Sequence, residues 1–252
     1  MSRSDAVMDA DRRVRLWSLV VQCARGAPVG LGHVCEAVIL AAKVDGVALA
    51  VAVSATPRET LYASGPVASV MEELALTLGE GPGVDALAGG LVLAADITDA
   101  EFVTRWPVFA PAAAQAGVRA VFGLPLQAGG IRQGVMDLYR SQPGGLDGEQ
   151  LADALILADT ACALLLDLAG QGQAGQALAG QGPGRAVQGG PEPVGGQHPV
   201  VHQATGMLIV QLGVSAAVAM IRLRAYAYAH DRRLGDVAAD VVARQLRFES
   251  EG

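Results

Sequence analysis

Lysine is nearly absent: of the 18 basic residues only Lys43 is not an arginine. It lies in AAKVDG, outside any G-x-x-x-x-G-K-[ST] pattern, so the chain has no P-loop, whose lysine must reach the bound phosphates. Aromatic residues make up only 4% of the chain, which leaves Ala, Val and Leu to build the core. The three cysteines, Cys23, Cys35 and Cys162, are odd in number, widely spaced and free of any C-x-x-C, a pattern that fits buried thiols in a reducing cytoplasm. The opening MSRSDAVMDADRRVRLW mixes acids with arginines and has no apolar stretch, so no signal peptide is expected. No uninterrupted membrane span is read either. LADALILADTACALLLDLAG has the length, but Asp153, Asp159 and Asp167 interrupt it. An acid at mid-membrane costs about 3 kcal/mol, so a buried or dimer-packed helix without a membrane is the expectation.

What is present points to packed cores. The chain has 252 residues, 52% hydrophobic and 17% charged, enough for one large or two modest domains. A formal charge of -7 argues against a general polyanion binder. The balance is uneven, however. Residues 1–199 carry 12 Lys+Arg against 20 Asp+Glu, whereas residues 200–252 carry 6 arginines against 5 acids. The only cationic bias lies at the C-terminal end.

Residues 170–199, GQGQAGQALAGQGPGRAVQGGPEPVGGQHP, have no apolar period and read as a mobile linker. As a flexible coil its ends would sit about 30 Å apart. A loop inside one domain is the competing reading, although structureless loops of this length are uncommon in compact domains. The chain therefore divides into residues 1–169, the linker 170–199, and residues 200–252.

The first block alternates helix and strand signals. Helices are expected over Ala6–Arg25 and Val29–Val44, followed by strands in VALAVAVS and ETLYAS joined by a turn containing Pro57. A helix over Val67–Leu78 leads into LGEGPGVDALAGG, read as a glycine-punctuated loop, and then a strand in LVLAAD. EFVTRWPVFAPAAAQAG is helical but broken at Pro107 and Pro111. VRAVFGLPLQ and IRQGVMDLYR flank AGG as a hairpin, and a helix over Gly148–Leu168 closes the block. The class is α+β with a largely antiparallel sheet.

The second block reads as three helices: Val200–Leu212 ending at Gly213, Ala216–Ala229 capped by Ser215, and Leu234–Leu246. Ala219, Leu223 and Ala227 form one apolar stripe, with Ala216 and Met220 beside it, and Leu234, Val237, Ala238 and Val241 form another. About fifty residues make a marginal core, so the block is expected to lean on a partner subunit or a longer first helix. Within HQATGMLIVQLGVS, Gly206 is an oddity, because glycine inside a helix costs roughly 1 kcal/mol relative to alanine.

Catalytic and metal constellations are thin. LGEGPGVDALAGG lacks the strand–GxGxxG–helix context of a dinucleotide site. His198 and His202 stand four apart, but Pro199 lies between them and no third ligand is near, so solvent-exposed histidines at a linker end are favoured over a metal pair. His33 and Cys35 in LGHVCEA suggest a Cys–His pair, while core packing explains Cys35 equally well. No G-x-S-x-G elbow or paired carboxylate appears, and no cofactor is expected. Arg222, Arg224, Arg232, Arg233, Arg244 and Arg247 fit both a solvated surface and a phosphate-contacting face, with Asp231, Asp236 and Asp240 nearly cancelling their charge.

The segment VHQATGMLIVQLGVSAAVAMIRLRAYAYAHDRRLGDVAADVVA resembles the ANTAR domain, a three-helix RNA-binding output module of bacterial antiterminators. The likeness rests on the Q-A-x-G start, the L-G-V-S break, LRAYA and R-x-L-x-D-V-A. LTLGEGPGVDA, RWPVFAPAAAQAGVRAVFGLPLQ and IRQGVMDLYR resemble a GAF sensor domain over about residues 20–168. The resemblance implies an antiparallel-sheet GAF domain with flanking helices, followed by a small all-α ANTAR domain. It further implies binding of RNA carrying paired short hairpins, a transcription antitermination role, a cytoplasmic location and a homodimer through the helices Ala6–Arg25 and Gly148–Leu168. An unidentified small molecule or protein would act as signal at the sensor. The RNA positions implied are Gln203, Thr205, Gly206, Arg224, Asp231, Arg232 and Arg233, with Ala204 and Asp236 also on the motif. Many members carry lysine where this chain has Thr205, and asparagine where it has Asp231. A GAF dimer whose C-terminal helices dock a protein and no nucleic acid is the alternative, and an enzyme using His33 and Cys35 is a third.

Overall fold

The computed structural model describes residues 3–51, 58–170 and 199–249. The turn expected at Pro57 and all but the end residues of the 170–199 linker lie outside them. The first block is built on five antiparallel strands in the order β2-β1-β5-β4-β3. They are β1 Gly46–Val51, β2 Glu59–Ala63, β3 Val92–Ala94, β4 Ala120–Ala128 and β5 Ile131–Arg140. Ala128 pairs with Ile131 across Gly129–Gly130, whose φ values of 57° and 87° suit the two-residue turn that matches strand twist.

Both faces of the sheet are covered. Along β4, Ala120, Phe122, Leu124 and Leu126 face one layer formed by α1 Arg3–Ala24, α2 Leu31–Ala42 and α7 Gly148–Gly170. Val121 faces the other layer, formed by α3 Pro66–Leu78, α4 Pro82–Gly89, α5 Ala100–Arg105 and α6 Phe109–Gln115. Arg15 donates to both carboxylate oxygens of the buried Asp153 at 2.7 and 2.8 Å, which satisfies the acid that interrupts the apolar run of α7. Gly123 has no room for a side chain, since a Cβ would stand 2.5 Å from the Pro82 carbonyl, and α4 rests directly on the sheet there.

Two expectations change in this block. LGEGPGVDALAGG contains a helix, α4, rather than a continuous loop. Pro82 occupies its first turn, where no N–H partner is needed, and Arg132 on β5 donates to the Leu87 and Ala88 carbonyls at its other end. Pro111 does not break the second half of EFVTRWPVFAPAAAQAG, because it lies in the first turn of α6; the break is at Pro107 alone.

The second block comprises α8 Pro199–Leu212, α9 Ala216–Ala229 and α10 Leu234–Val242. Gly213 takes φ 65° and Ser215 Oγ accepts from Val218 N, so the break between α8 and α9 is built as expected. The third helix is four residues shorter than its apolar pattern predicts. Arg244 adopts φ 60° and the N–H groups of Gln245 and Leu246 return to the Asp240 carbonyl, closing α10 without a glycine. Support for this small core comes in part from the first block of the same chain. Leu76 of α3, 2% exposed, is buried among Val201, Leu208, Leu223 and Val237.

Candidate nucleic-acid interface

The seven positions implied for RNA fall on two sides of the C-terminal block. Gln203 and Gly206 share one face of α8, three residues apart, and line an open groove of about 550 Å³ with Met207, Val210, Arg244 and Arg247. The groove's far wall is the segment that follows α10. Leu246 and Phe248 turn inward and Arg247 outward, as in an extended strand. Gln211 Nε2 donates to Phe248 O at 2.5 Å, Arg222 Nη1 to Glu249 O at 3.2 Å, and Phe248 meets Tyr226 edge-on, so this segment is pinned. The expected third helix took in its start, up to Leu246, and left Arg247–Glu249 unassigned; the alternating apolar and charged residues were the available signal.

Thr205 and Arg224 require correction as solvent-facing contacts. Thr205 is 4% exposed and its hydroxyl donates to the Val201 carbonyl at 2.7 Å, one turn back in α8. A lysine stem at this position would have to run out past helix packing, so Thr205→Lys would disturb that packing as well as add a charge. Arg224 turns toward the sensor-side block. Its Nε donates to the Leu76 carbonyl at 2.8 Å, and a Cβ on Gly79 would stand 2.7 Å from its Nη1. Burial, reinforced by the nearby Arg58 guanidinium, lowers the Arg224 pKa.

The turn between α9 and α10 holds the remaining three. Asp231 is exposed with φ 50°, a left-handed conformation that Asp and Asn tolerate better than most residues. A conformational demand therefore accounts for this position before any RNA contact does. Arg232 donates to Asp240 at 2.7 Å. Arg233 is exposed at the start of α10, close enough to Glu73 of α3 to oppose the upward push that burial gives that carboxyl.

A second candidate site lies in the first block. Arg58 donates to Glu72 at 2.5 Å and to Asp137 at 3.1 Å, and Thr60 donates to the other Glu72 oxygen at 2.9 Å. Arg58 and Glu72 are buried, and Arg58 Nε and Asp137 Oδ1 have no partner among the described residues. Burial pushes the Asp137 carboxyl up to about 7, with Glu72 competing for the single guanidinium that pulls it down. The cavity beside them measures about 20 Å³, the size of one water, because Arg58 fills most of the space between the sheet and α3 and α4. Gly83 of α4 sits directly on the ion cluster, where a Cβ would meet Asp137 at 2.0 Å and Arg58 at 2.2 Å.

The histidine and cysteine candidates carry no reactive geometry. His33 Nδ1 accepts from the Gly30 N–H at 3.1 Å and so caps α2, while Cys35 is fully buried and its thiol pushed up by desolvation. His202 Nδ1 is buried without a partner among the described residues, and His198 lies outside them. Among the described residues no three His, Cys, Asp or Glu side chains form a metal cluster, and no single helix is long and apolar enough to cross a membrane.

Comparison with known proteins adds to this geometry. The ANTAR domain model matches residues 197–242, which contain α8, α9 and α10. The GAF domain of a phosphoenolpyruvate-protein phosphotransferase from Coxiella burnetii aligns at a TM-score of 0.51, with 17% identity over 65% of this chain and 98% of that one. The corresponding Acinetobacter domain aligns at a TM-score of 0.47, with 14% identity over 69% of this chain and 99% of that one. The chain joins a GAF-fold block to an ANTAR domain. None of the curated proteins compared with it matches. The class is α+β: a GAF-like antiparallel sheet with flanking helices, followed by the three helices that the ANTAR domain model matches.

Proposed function

We propose that the chain is a signal-responsive antitermination regulator. Its ANTAR domain holds RNA carrying paired short hairpins, the terminator hairpin fails to form, and transcription continues. The observation that carries this reading is the ANTAR match over residues 197–242 on a three-helix block whose Gln203, Gly206 and Arg233 are exposed. The domain boundaries, a cytoplasmic location and a homodimer belong to the same reading.

The contact between the blocks supports control by the sensor. One helix, α3, carries Glu72 into the Arg58–Asp137 cluster and presents Leu76 to the ANTAR core one turn later. A ligand entering the small cavity has to displace Arg58, and with it α3. That displacement alters the seat of Arg224 on the Leu76 carbonyl. The test is binding of the full chain to a two-hairpin RNA over a range of salt. Wild type binds at low salt, and Arg232→Ala with Arg233→Ala weakens binding tenfold or more. No binding by wild type at low salt would sink the proposal.

A second reading draws on the docking of Arg224 inside the chain and the pairing of Arg232 with Asp240. In it the C-terminal helices of a dimer hold a protein and no nucleic acid. Partner recovery that survives RNase treatment favours it, and RNase-sensitive recovery removes it.

A further inference from the structure

Gly206 is a helical glycine that packing does not require. An added Cβ would meet nothing within 4 Å, so neither a neighbouring helix nor a strained backbone explains it. A mid-helix glycine weakens a helix, and here the open space lies over the groove bounded by Gln203, Met207, Val210, Arg244 and Arg247. Val210 beside it is 85% exposed, an apolar residue on a surface that no other part of the described chain covers.

The rim of that groove differs in charge from the sensor-facing side. Arg224 and Arg232 are engaged by Leu76 and Asp240. Arg244 and Arg247 are exposed and have no ion pair among the described residues. Both lie beyond the segment matched by the ANTAR domain model, which ends at residue 242. The pinned segment after α10 fixes Arg247 on one wall, and the left-handed end of α10 fixes Arg244 beside it.

We infer that this groove is a docking site for unpaired RNA nucleotides. The backbone of the nucleic acid approaches α8 at Gly206, and Arg244 and Arg247 neutralise its phosphates. Unpaired loops suit the groove because their bases splay out to rest on apolar surface and guanidinium planes, and Gln203 offers an amide donor and acceptor to a base edge. The site rests on the RNA-binding reading above. It adds residues outside the matched domain and remains open while Arg224 is seated on α3.

The experiment uses the full chain and a labelled two-hairpin RNA, with affinity followed against salt. Arg244→Gln with Arg247→Gln is expected to bind at least tenfold more weakly, and the slope of log K against log salt should flatten by roughly two units. Gly206→Ala should melt at a higher temperature yet bind several-fold more weakly, a combination that loss of folding cannot produce. Lys43→Gln, an exposed change on the sensor-side block, should alter neither quantity. Tight binding by wild type together with an unchanged slope in the double arginine variant overturns the groove and leaves the RNA reading standing. Failure of wild type to bind at low salt overturns both.

Discussion

Asp137 shows how a single buried group sets a pH response. Its folded-state pKa is about 7 against an ordinary 3.8, because burial and the competing Glu72 outweigh the pull of Arg58. The folded state therefore holds the proton more tightly than the unfolded chain. Stability from this group is present in full below pH 3.8 and is lost progressively as the pH rises to about 7. Urea unfolding of wild type and Asp137→Asn should diverge across that interval, with only wild type carrying the loss. Parallel curves would mean that Asp137 is already ionised in the fold. Asp231 illustrates a different constraint. At φ 50° it accepts Asn with little change in stability, and Asp231→Asn removes an anion from the turn, so RNA binding should tighten a few-fold. Asp231→Val forces a β-branched residue into the same conformation and should cost about 1–2 kcal/mol in thermal or urea unfolding.

At the scale of elements, α3 joins the two blocks. Glu72 faces the ion cluster, Leu76 enters the ANTAR core, and the Leu76 carbonyl receives Arg224. A hydrogen bond from a charged group is worth about 1.5–3 kcal/mol, so Arg224→Ala should lower the free energy of undocking by that order. Hydrogen exchange should quicken at the end of α3 and along α9, with β4 and β5 unaffected. Exchange that stays unchanged in α3 would show that Leu76 alone holds the blocks together. The elements themselves were largely legible: the two-glycine hairpin, the Ser215 cap and the 3.6-residue stripes of α9 and α10 are local signals. The connections were not. Arg58, Glu72 and Asp137 lie 14 and 79 residues apart and meet only through the sheet. Arg224 reaches across 148 residues to Leu76, so its arginine type suggested phosphate contact while its neighbours assign it a docking role. The end of α10 was misplaced for a local reason, since Arg244 takes the left-handed position in which a glycine is usually found.

For the whole molecule, paired hairpins pose a geometric problem. On the proposed reading one ANTAR domain holds one hairpin in its groove, so simultaneous capture of two would need two copies of the chain. The first helix has a surface suited to that. Val14, Trp17 and Val21 repeat along one face of α1 and are 67%, 47% and 46% exposed, while Leu16 and Val20, on the side turned to the sheet, are buried in the core of the first block. Pairing through this stripe would leave the groove on α8 free in each copy. Linking two sites raises affinity for a two-hairpin RNA through effective concentration and leaves a single hairpin unaffected. Trp17→Glu with Val21→Glu should therefore sediment as a monomer, lose tenfold or more in affinity for the two-hairpin RNA, and bind one hairpin as wild type does. Equal loss on both RNAs would place the damage in the fold rather than in assembly, and a variant that remains dimeric would move the interface away from this face of α1.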